Sequence, residues 1–181
     1  VDRSSEGGEV ISHIASDNKA GGKLAGEYLL TLVEKGAQVA VLEGIAGSSA
    51  AIDRGEGFNE AVKESVEIKA SQTANFDRSE GLTVMENILQ ANPDIEAVFA
   101  QNDEMALGAL EAIEGSGKDI IVIGFDATDD ALKKVESGEM AATVAQQPGL
   151  IGEKAVEAAV NHLDGKEIDK AIPVELKLIK K

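Results

Sequence analysis

Residues 95–113, IEAVFAQNDEMALGALEAI, are the stretch that indicates the fold class. They begin with a short apolar run, rich in β-forming residues, that predicts a buried strand over 95–100. The polar residues Gln101, Asn102 and Asp103 interrupt this run, and apolar side chains then recur at helical spacing. Asn102 or Asp103 is a suitable N-cap for that helix. The stretch therefore predicts a strand followed at once by a helix, with polar side chains at the junction.

The same strand-then-helix unit recurs along the chain with short connections. This alternation is typical of an α/β fold, in which a doubly wound parallel sheet carries helices on both faces. Apolar periodicity predicts further strands over 10–15, 37–42, 66–70, 119–124 and 140–145, and helices over 19–34, 50–64, 78–91, 129–136 and 149–163. The tail breaks this pattern, because a last strand over 172–179 contains Pro173 and is therefore expected at a sheet edge.

The composition argues against several classes of function. The chain has 17 basic and 33 acidic residues, and its net charge of −16 disfavours binding to nucleic acid or to an anionic membrane surface. No apolar run approaches the roughly 18 residues of a membrane span. The chain lacks cysteine, and its two histidines, His13 and His162, are far apart in sequence. A disulfide scaffold and a cysteine nucleophile are therefore excluded, and neither a metal cluster nor a cofactor is expected.

Polar side chains lie at the ends of several predicted strands. Asn102, Asp126 and Gln146 each end a strand, Arg54 opens a helix just past another strand end, and Phe76 follows a strand. Ligands of open α/β sheets bind at the carboxyl ends of the strands, so these side chains are expected to converge. Charged and amide groups suit the hydroxyls of a polyhydroxylated ring, and an aromatic ring covers its C–H face. Each residue alone could instead be a helix cap or a surface contact.

Other chemistries are less well supported by the sequence. The loop 44–49, GIAGSS, resembles a phosphate-binding loop, but it lacks the lysine of that motif, and a tight turn with a hydroxyl cap is the stronger interpretation. No Gly-x-Ser-x-Gly motif is present for acyl transfer. Asp126, near Asn102, could act as a base, so an enzyme remains a third class of function.

Several stretches carry a resemblance that covers the whole chain: VDR (1–3), SHIASDN (12–18), GIAGSSAA and RGEGF (within 44–58), FDR (76–78), FAQNDEMALGA (99–109), VIGFDAT (122–128) and AATVAQQP (141–148). Together they resemble the ribose-binding proteins of bacterial ABC uptake systems, within the superfamily of periplasmic binding proteins and LacI-type repressors. Members of this family have two similar α/β lobes joined by three crossing segments, with the sugar in the cleft between them.

The resemblance implies a periplasmic-binding-protein-like fold that consists of the C-terminal lobe plus the crossing segments, with most of the N-terminal lobe missing. The implied organisation has four parts: a remnant of the N-terminal lobe with the first crossing (1–17), the C-terminal sugar-binding lobe (18–146), a return segment whose helix belongs to the N-terminal lobe (147–175), and the final strand of the C-terminal lobe (176–181).

The resemblance also implies a set of sugar contacts: Asp2, Arg3, Ser16, Ile45, Arg54, Phe76, Asn102, Phe125, Asp126 and Gln146. The charged and amide side chains of this set would bond the sugar hydroxyls and ring oxygen. Phe76 would stack on the sugar, while Ile45 and Phe125 would form walls of the pocket. One departure is Ile52, where relatives often carry arginine; because Arg54 is retained, no loss of sugar contact is expected there.

The resemblance favours a binding protein over the other classes. The expected function is reversible capture of ribose or a related pentose for the membrane permease of an ABC transporter, outside the cytoplasm, in the periplasm or at the outer face of the cytoplasmic membrane. Closure of the two lobes would bury the sugar, and no bond would be made or broken. The alternative is the effector-binding core of a LacI-type transcriptional repressor, which shares the fold.

Overall fold

The computed structural model describes residues 1–5 and 7–181. Strands and helices alternate along this part of the chain. In chain order the elements are β1 His13–Ser16, α1 Asn18–Leu29, β2 Gln38–Glu43, α2 Ser49–Val62, β3 Glu67–Thr73, α3 Arg78–Ala91, β4 Ala97–Ala100, α4 Asp103–Ser116, β5 Ile121–Asp126, α5 Asp129–Ser137, β6 Ala142–Ala145, α6 Pro148–Leu163, β7 Ala171–Val174 and β8 Lys177–Lys180. Within the described residues, none of these helices combines the length and apolar character that a membrane crossing requires.

The main sheet has the strand order β3-β2-β4-β5-β6-β8, and β1 pairs with β7 in a separate two-stranded sheet. All neighbours in the main sheet are parallel except β8, which is antiparallel to β6. Successive side chains of a strand point to opposite faces, so Val39 and Val41 join the cluster beneath α1 and α2, while Ala40 and Leu42 join the cluster beneath α3 and α4. The predicted doubly wound α/β fold is confirmed, with one antiparallel edge strand.

The predicted single strand over 172–179 is wrong. The chain changes sheets within it: Val174 ends β7, which pairs with β1, and Lys177 begins β8, which pairs with β6. Val174 packs in the small sheet, whereas Leu176 packs in the core of the main sheet. Because both sheets bury apolar side chains, these side chains recur throughout residues 172–179, IPVELKLI, although the pairing partner changes.

The two-stranded sheet and α6 form a small unit beside the main sheet, here called the small unit. Its own apolar cluster contains Ile14 of β1, Val174 of β7, and Ile151 and Ala158 of α6. The chain passes between the small unit and the main sheet after β1, after β6 and after β7. The first and third passages are bonded to each other, because the backbone N–H of Asp17 donates to the carbonyl of Val174 (2.9 Å). The polar ends of β5 and β6 lie near these passages.

Candidate functional site

Seven of the ten predicted site residues line one cavity of about 120 Å³ at the carboxyl ends of the main-sheet strands. The parallel strands explain this convergence: Asp126 ends β5, Gln146 follows β6, and Asn102 follows β4. The complete lining is Asp2, Arg3, Ala50, Arg54, Phe76, Asn102, Asp126 and Gln146.

Arg54 lies in the floor of the cavity and is only 4% exposed. Its guanidinium carbon lies 3.7 Å from the ring centroid of Phe125, so the planar cation is stacked on an aromatic face. The Nε atom donates to Asn18 Oδ1 (2.9 Å), and Nη1 donates to the carbonyl oxygen of Gln101 (2.6 Å). Burial lowers the pKa of Arg54, and the negative charge of Asp126 opposes this effect. An arginine keeps its proton in proteins, so the cavity contains a fixed cation.

Asp126 faces this cation. Its Oδ1 atom lies 3.6 Å from Nη1 of Arg54 and accepts a hydrogen bond of 2.6 Å from Nε2 of Gln146. Burial raises the pKa of Asp126, while Arg54 and the bond from Gln146 oppose that rise. The amide of Gln146 is fixed at its other end as well, since its Oε1 accepts from Ser16 Oγ (2.6 Å). The polar groups are therefore held in place before any ligand arrives.

Phe76 provides the aromatic face of the cavity. Its backbone carbonyl accepts from Asn102 Nδ2 (3.2 Å), and the guanidinium of Arg3 lies 5.4 Å from its ring centroid. Gly44 allows the ring to occupy this position, because a Cβ atom added at Gly44 would overlap the ring atoms. Asn102 is fixed in turn as the N-cap of α4, where Oδ1 accepts from the backbone N–H of Met105 (3.0 Å).

Three residues of the lining have a left-handed backbone that is uncommon outside glycine: Asp2 (φ 65°), Phe76 (φ 61°) and Asp126 (φ 122°). Such conformations cost free energy and persist only where surrounding contacts hold them. Asp2 is held by its backbone N–H, which donates to the carbonyl of Ile14 (2.8 Å), and by the imidazole of His13 (2.9 Å). Strained backbone concentrated around one cavity supports a functional role for it.

The structure does not place the other three predicted residues in the cavity wall. Ser16 lies just behind it and reaches the cavity through its bond to Gln146. Phe125 is fully buried behind the guanidinium of Arg54, so it supports the floor rather than forming a wall. Ile45 is 40% exposed and lines a neighbouring cavity of about 360 Å³.

Sequence reasoning missed two residues that orient Arg54. Asn18 is the first residue of α1, and its Nδ2 also donates to the carbonyl of Ser16 (3.2 Å). Gln101 follows β4 directly, and its side chain accepts from the backbone N–H of Gly44 (2.9 Å). Both are buried polar residues beside a strand end, and this is the signal that could have identified them. Ala50 completes the lining without a polar group.

The chemistry of the cavity suits a neutral ligand with many hydroxyl groups. Its side chains include two carboxylates, two guanidinium groups, two amides and one aromatic ring, so donors and acceptors are mixed and the charges are balanced. Among the described residues no group of three or more acidic or histidine side chains could hold a metal ion.

Comparison with known proteins identifies the family and the fold of the chain. A family model described as periplasmic binding protein domain matches residues 1–167. The chain is 54% identical to the ribose import binding protein RbsB of Bacillus subtilis (strain 168) over 98% of its own length and 58% of that protein's. It is also 54% identical to RbsB of Escherichia coli (strain K12), covering 100% of this chain and 62% of the relative.

A solved structure gives the same result for the fold. The Caulobacter myo-inositol binding protein bound to myo-inositol superposes with a TM-score of 0.91 at 35% identity, covering 99% of this chain and 64% of that one. The chain thus spans about three fifths of the length of the curated relatives it matches. With a family model that matches most of the sequence and a fold that superposes throughout, the chain belongs to the periplasmic binding protein family.

Proposed function

We propose that this chain binds ribose, or a closely related pentose, reversibly in the cavity around Arg54 and Asp126, as part of an ABC sugar importer. The observation that carries the proposal is the convergence of mixed charged and amide groups with one aromatic ring in a single cavity. The names of the RbsB relatives support ribose over other polyhydroxylated rings.

Each group has a role that follows from its chemistry. The carboxylates of Asp2 and Asp126 accept hydrogen bonds from sugar hydroxyls, and the guanidinium groups of Arg3 and Arg54 donate to hydroxyl or ring oxygens. The ring of Phe76 covers the apolar face of the sugar. Because the protein's own hydrogen bonds already orient Arg54 and Asp126, little side-chain entropy is lost when the sugar binds.

Binding without chemistry is the favoured class. The carboxylate of Asp126 is engaged by Arg54 and Gln146, so it is an ion-pair partner rather than a free base. The relatives named above are import binding proteins, which favours transport over the repressor alternative. We infer that the site of action is outside the cytoplasm, in the periplasm or at the outer face of the cytoplasmic membrane, and that a membrane permease receives the sugar.

The organisation of the chain supports a further part of the proposal: residues 18–146 with 176–181 form a sugar-binding lobe, while residues 1–17 and 147–175 belong to a second lobe. The small unit has its own apolar cluster and does not share the core of the main sheet. On α6, Val156, Val160 and Leu163 are 66%, 51% and 85% exposed. This apolar face has the character of a surface that packs against further protein.

The test is a titration of the isotopically labelled 181-residue chain with D-ribose, followed by NMR. We expect saturable shifts at the cavity residues, in the millimolar range, because the cavity, at about 120 Å³, is smaller than the roughly 300–1,000 Å³ pockets that enclose a ligand. Ribitol is the matched control: it is an open-chain polyol without a ring face, and it should bind more weakly. The absence of any saturable response to ribose at the cavity, or a stronger response to ribitol, would overturn the proposal.

A further inference from the structure

The backbone beside the cavity is strained at two successive residues. Asp126 (φ 122°) and Ala127 (φ 60°) both have positive φ, and Thr128 then caps α5. Side chains with a Cβ atom rarely adopt this conformation. It turns the chain sharply at the end of β5, and it sets the direction in which the carboxylate of Asp126 enters the cavity.

A buried chain of hydrogen bonds holds this turn. The backbone N–H of Ala127 donates to Thr143 Oγ1 (3.2 Å), and this hydroxyl donates to Asp103 Oδ1 (2.7 Å). The second carboxylate oxygen, Asp103 Oδ2, accepts from the backbone N–H of Thr128 (2.7 Å). These three bonds join α4 and β6 to the two backbone amides that flank Ala127, and they are here called the Asp103–Thr143 link.

The Asp103–Thr143 link lies outside the cavity, and it contains a buried carboxylate, that of Asp103. Asp103 and Thr143 are both fully buried, and neither lines the cavity. Among the described residues Asp103 has no ion-pair partner, and burial raises its pKa to about 6 although its hydrogen bonds oppose the rise. The fold also makes space for it, since a Cβ atom added at Gly124 would overlap Asp103 Oδ1. Burying an unpaired carboxylate is costly, so a structural reason for retaining it is required.

We propose that Asp103 and Thr143 are positioning residues for sugar binding: they hold Asp126 and Ala127 in the left-handed conformation and so aim the Asp126 carboxylate at the cavity. This inference rests on the proposed function of the cavity. It assigns a role in affinity to two residues that cannot touch the sugar. The role requires a hydrogen-bonding side chain at each of these two positions, not only a side chain of the same volume.

The test first removes the hydroxyl of Thr143 and then relieves the backbone strain at Ala127. Thr143→Val keeps the shape of the side chain but deletes both hydrogen bonds. We expect ribose affinity in the NMR titration to fall about tenfold, the usual effect of losing a well-placed polar contact. Amide hydrogen exchange at Ala127 should rise, while exchange at Val98 in the core should not change. Thr143→Ser, which keeps the hydroxyl, should restore both values, and Thr83→Val on the exposed face of α3 is the matched control.

A second substitution separates positioning from general stability. Glycine adopts positive φ without a steric penalty, so Ala127→Gly added to Thr143→Val relieves one of the two strained residues and should recover a measurable part of the lost ribose affinity although no hydrogen bond returns. If Thr143→Val alone fails to fold, the double variant should fold and bind ribose. A Thr143→Val chain with unchanged ribose affinity, whatever its exchange at Ala127, or a double variant without recovery, would overturn the inference. No response of the unsubstituted chain to ribose would instead overturn the proposed function, and exchange at Ala127 would still report on the link.

Discussion

The buried guanidinium of Arg54 gives the sharpest prediction about the energetics of the cavity. Arg54→Met keeps an unbranched apolar side chain, but the cation, its stacking on Phe125 and its two hydrogen bonds are lost. The Oδ1 atom of Asn18 and the carbonyl of Gln101 then lose their donors, and both of these residues are buried. Asp126 loses the cation that opposes the rise of its pKa, so its pKa should increase further.

The expected magnitude follows from these losses. Each buried acceptor without a donor costs about 1–3 kcal/mol. Part of that sum is offset, because a buried guanidinium carries its own desolvation penalty. We therefore expect the free energy of unfolding at neutral pH to fall by about 3 kcal/mol, within the range for breaking one side of a buried polar network.

Urea denaturation followed by circular dichroism measures this quantity, and the dependence on denaturant should not change between the variants. Arg78→Met is the matched control: Arg78 makes two bonds of 3.0 Å to Glu104, but it is partly exposed, so its removal should cost less than about 1 kcal/mol. If Arg54→Met were as stable as the unsubstituted chain, desolvation of the guanidinium would outweigh its bonds, and the account of a preorganised cation would be refuted.

Three further predictions concern other parts of the structure. Gly44→Ala should displace the Phe76 ring and remove ribose binding in the NMR titration while the far-ultraviolet circular dichroism spectrum stays unchanged; retained binding would contradict the role of Gly44. Burial raises the pKa of Asp103 in the folded state above its unfolded value, so its contribution to the free energy of unfolding is full below about pH 4 and is lost as the pH rises to about 6. The loss is roughly 2–3 kcal/mol, and urea titrations of Asp103→Asn should not show it. Equal pH dependence of stability in the two chains would contradict this prediction. Leu163→Glu should change the unfolding free energy by less than about 0.5 kcal/mol, whereas a larger loss would mean that this exposed side chain packs within the chain.

The sequence predicted the polar rim of the cavity well, for a geometric reason. Parallel strands end at the same edge, so Asn102, Asp126 and Gln146 could be grouped from their positions after apolar runs. The position of Phe125 was also encoded, because successive strand residues face opposite sides: Phe125 points to the core beneath α1 and α2, while Asp126 points to the cavity. The prediction that Phe125 forms a wall of the pocket came only from the resemblance. The alternation of side chains along β5 would have predicted that Phe125 faces the core instead.

Other features depend on contacts that no local pattern reports. The loop that carries Ile45 lines the neighbouring cavity, and it contains a left-handed backbone at Gly47 (φ 82°). Asp103 reads as an ordinary residue of a helix N-terminus, so its buried bonds to Thr143 and Thr128 could not be anticipated. The change of sheet after Val174 was hidden for a similar reason, because apolar alternation does not specify which strand is the partner.

The amide of Gln146 has a mechanical consequence. It joins Ser16, at the first passage between the sheets, to Asp126 at the cavity, and both bonds are 2.6 Å long. A ligand that takes the place of Asp126 at Gln146 breaks one of these bonds, and a rotation of the small unit against the main sheet would stretch the bond to Ser16. Ligand binding in the cavity and the angle between the small unit and the main sheet are then coupled. The coupling is reciprocal: if the ligand favours one angle, a partner that fixes this angle increases the affinity for the ligand by the same free energy. Through the side chain of Gln146, a partner that binds to the outside of the protein would thus raise or lower the affinity of the cavity for its ligand.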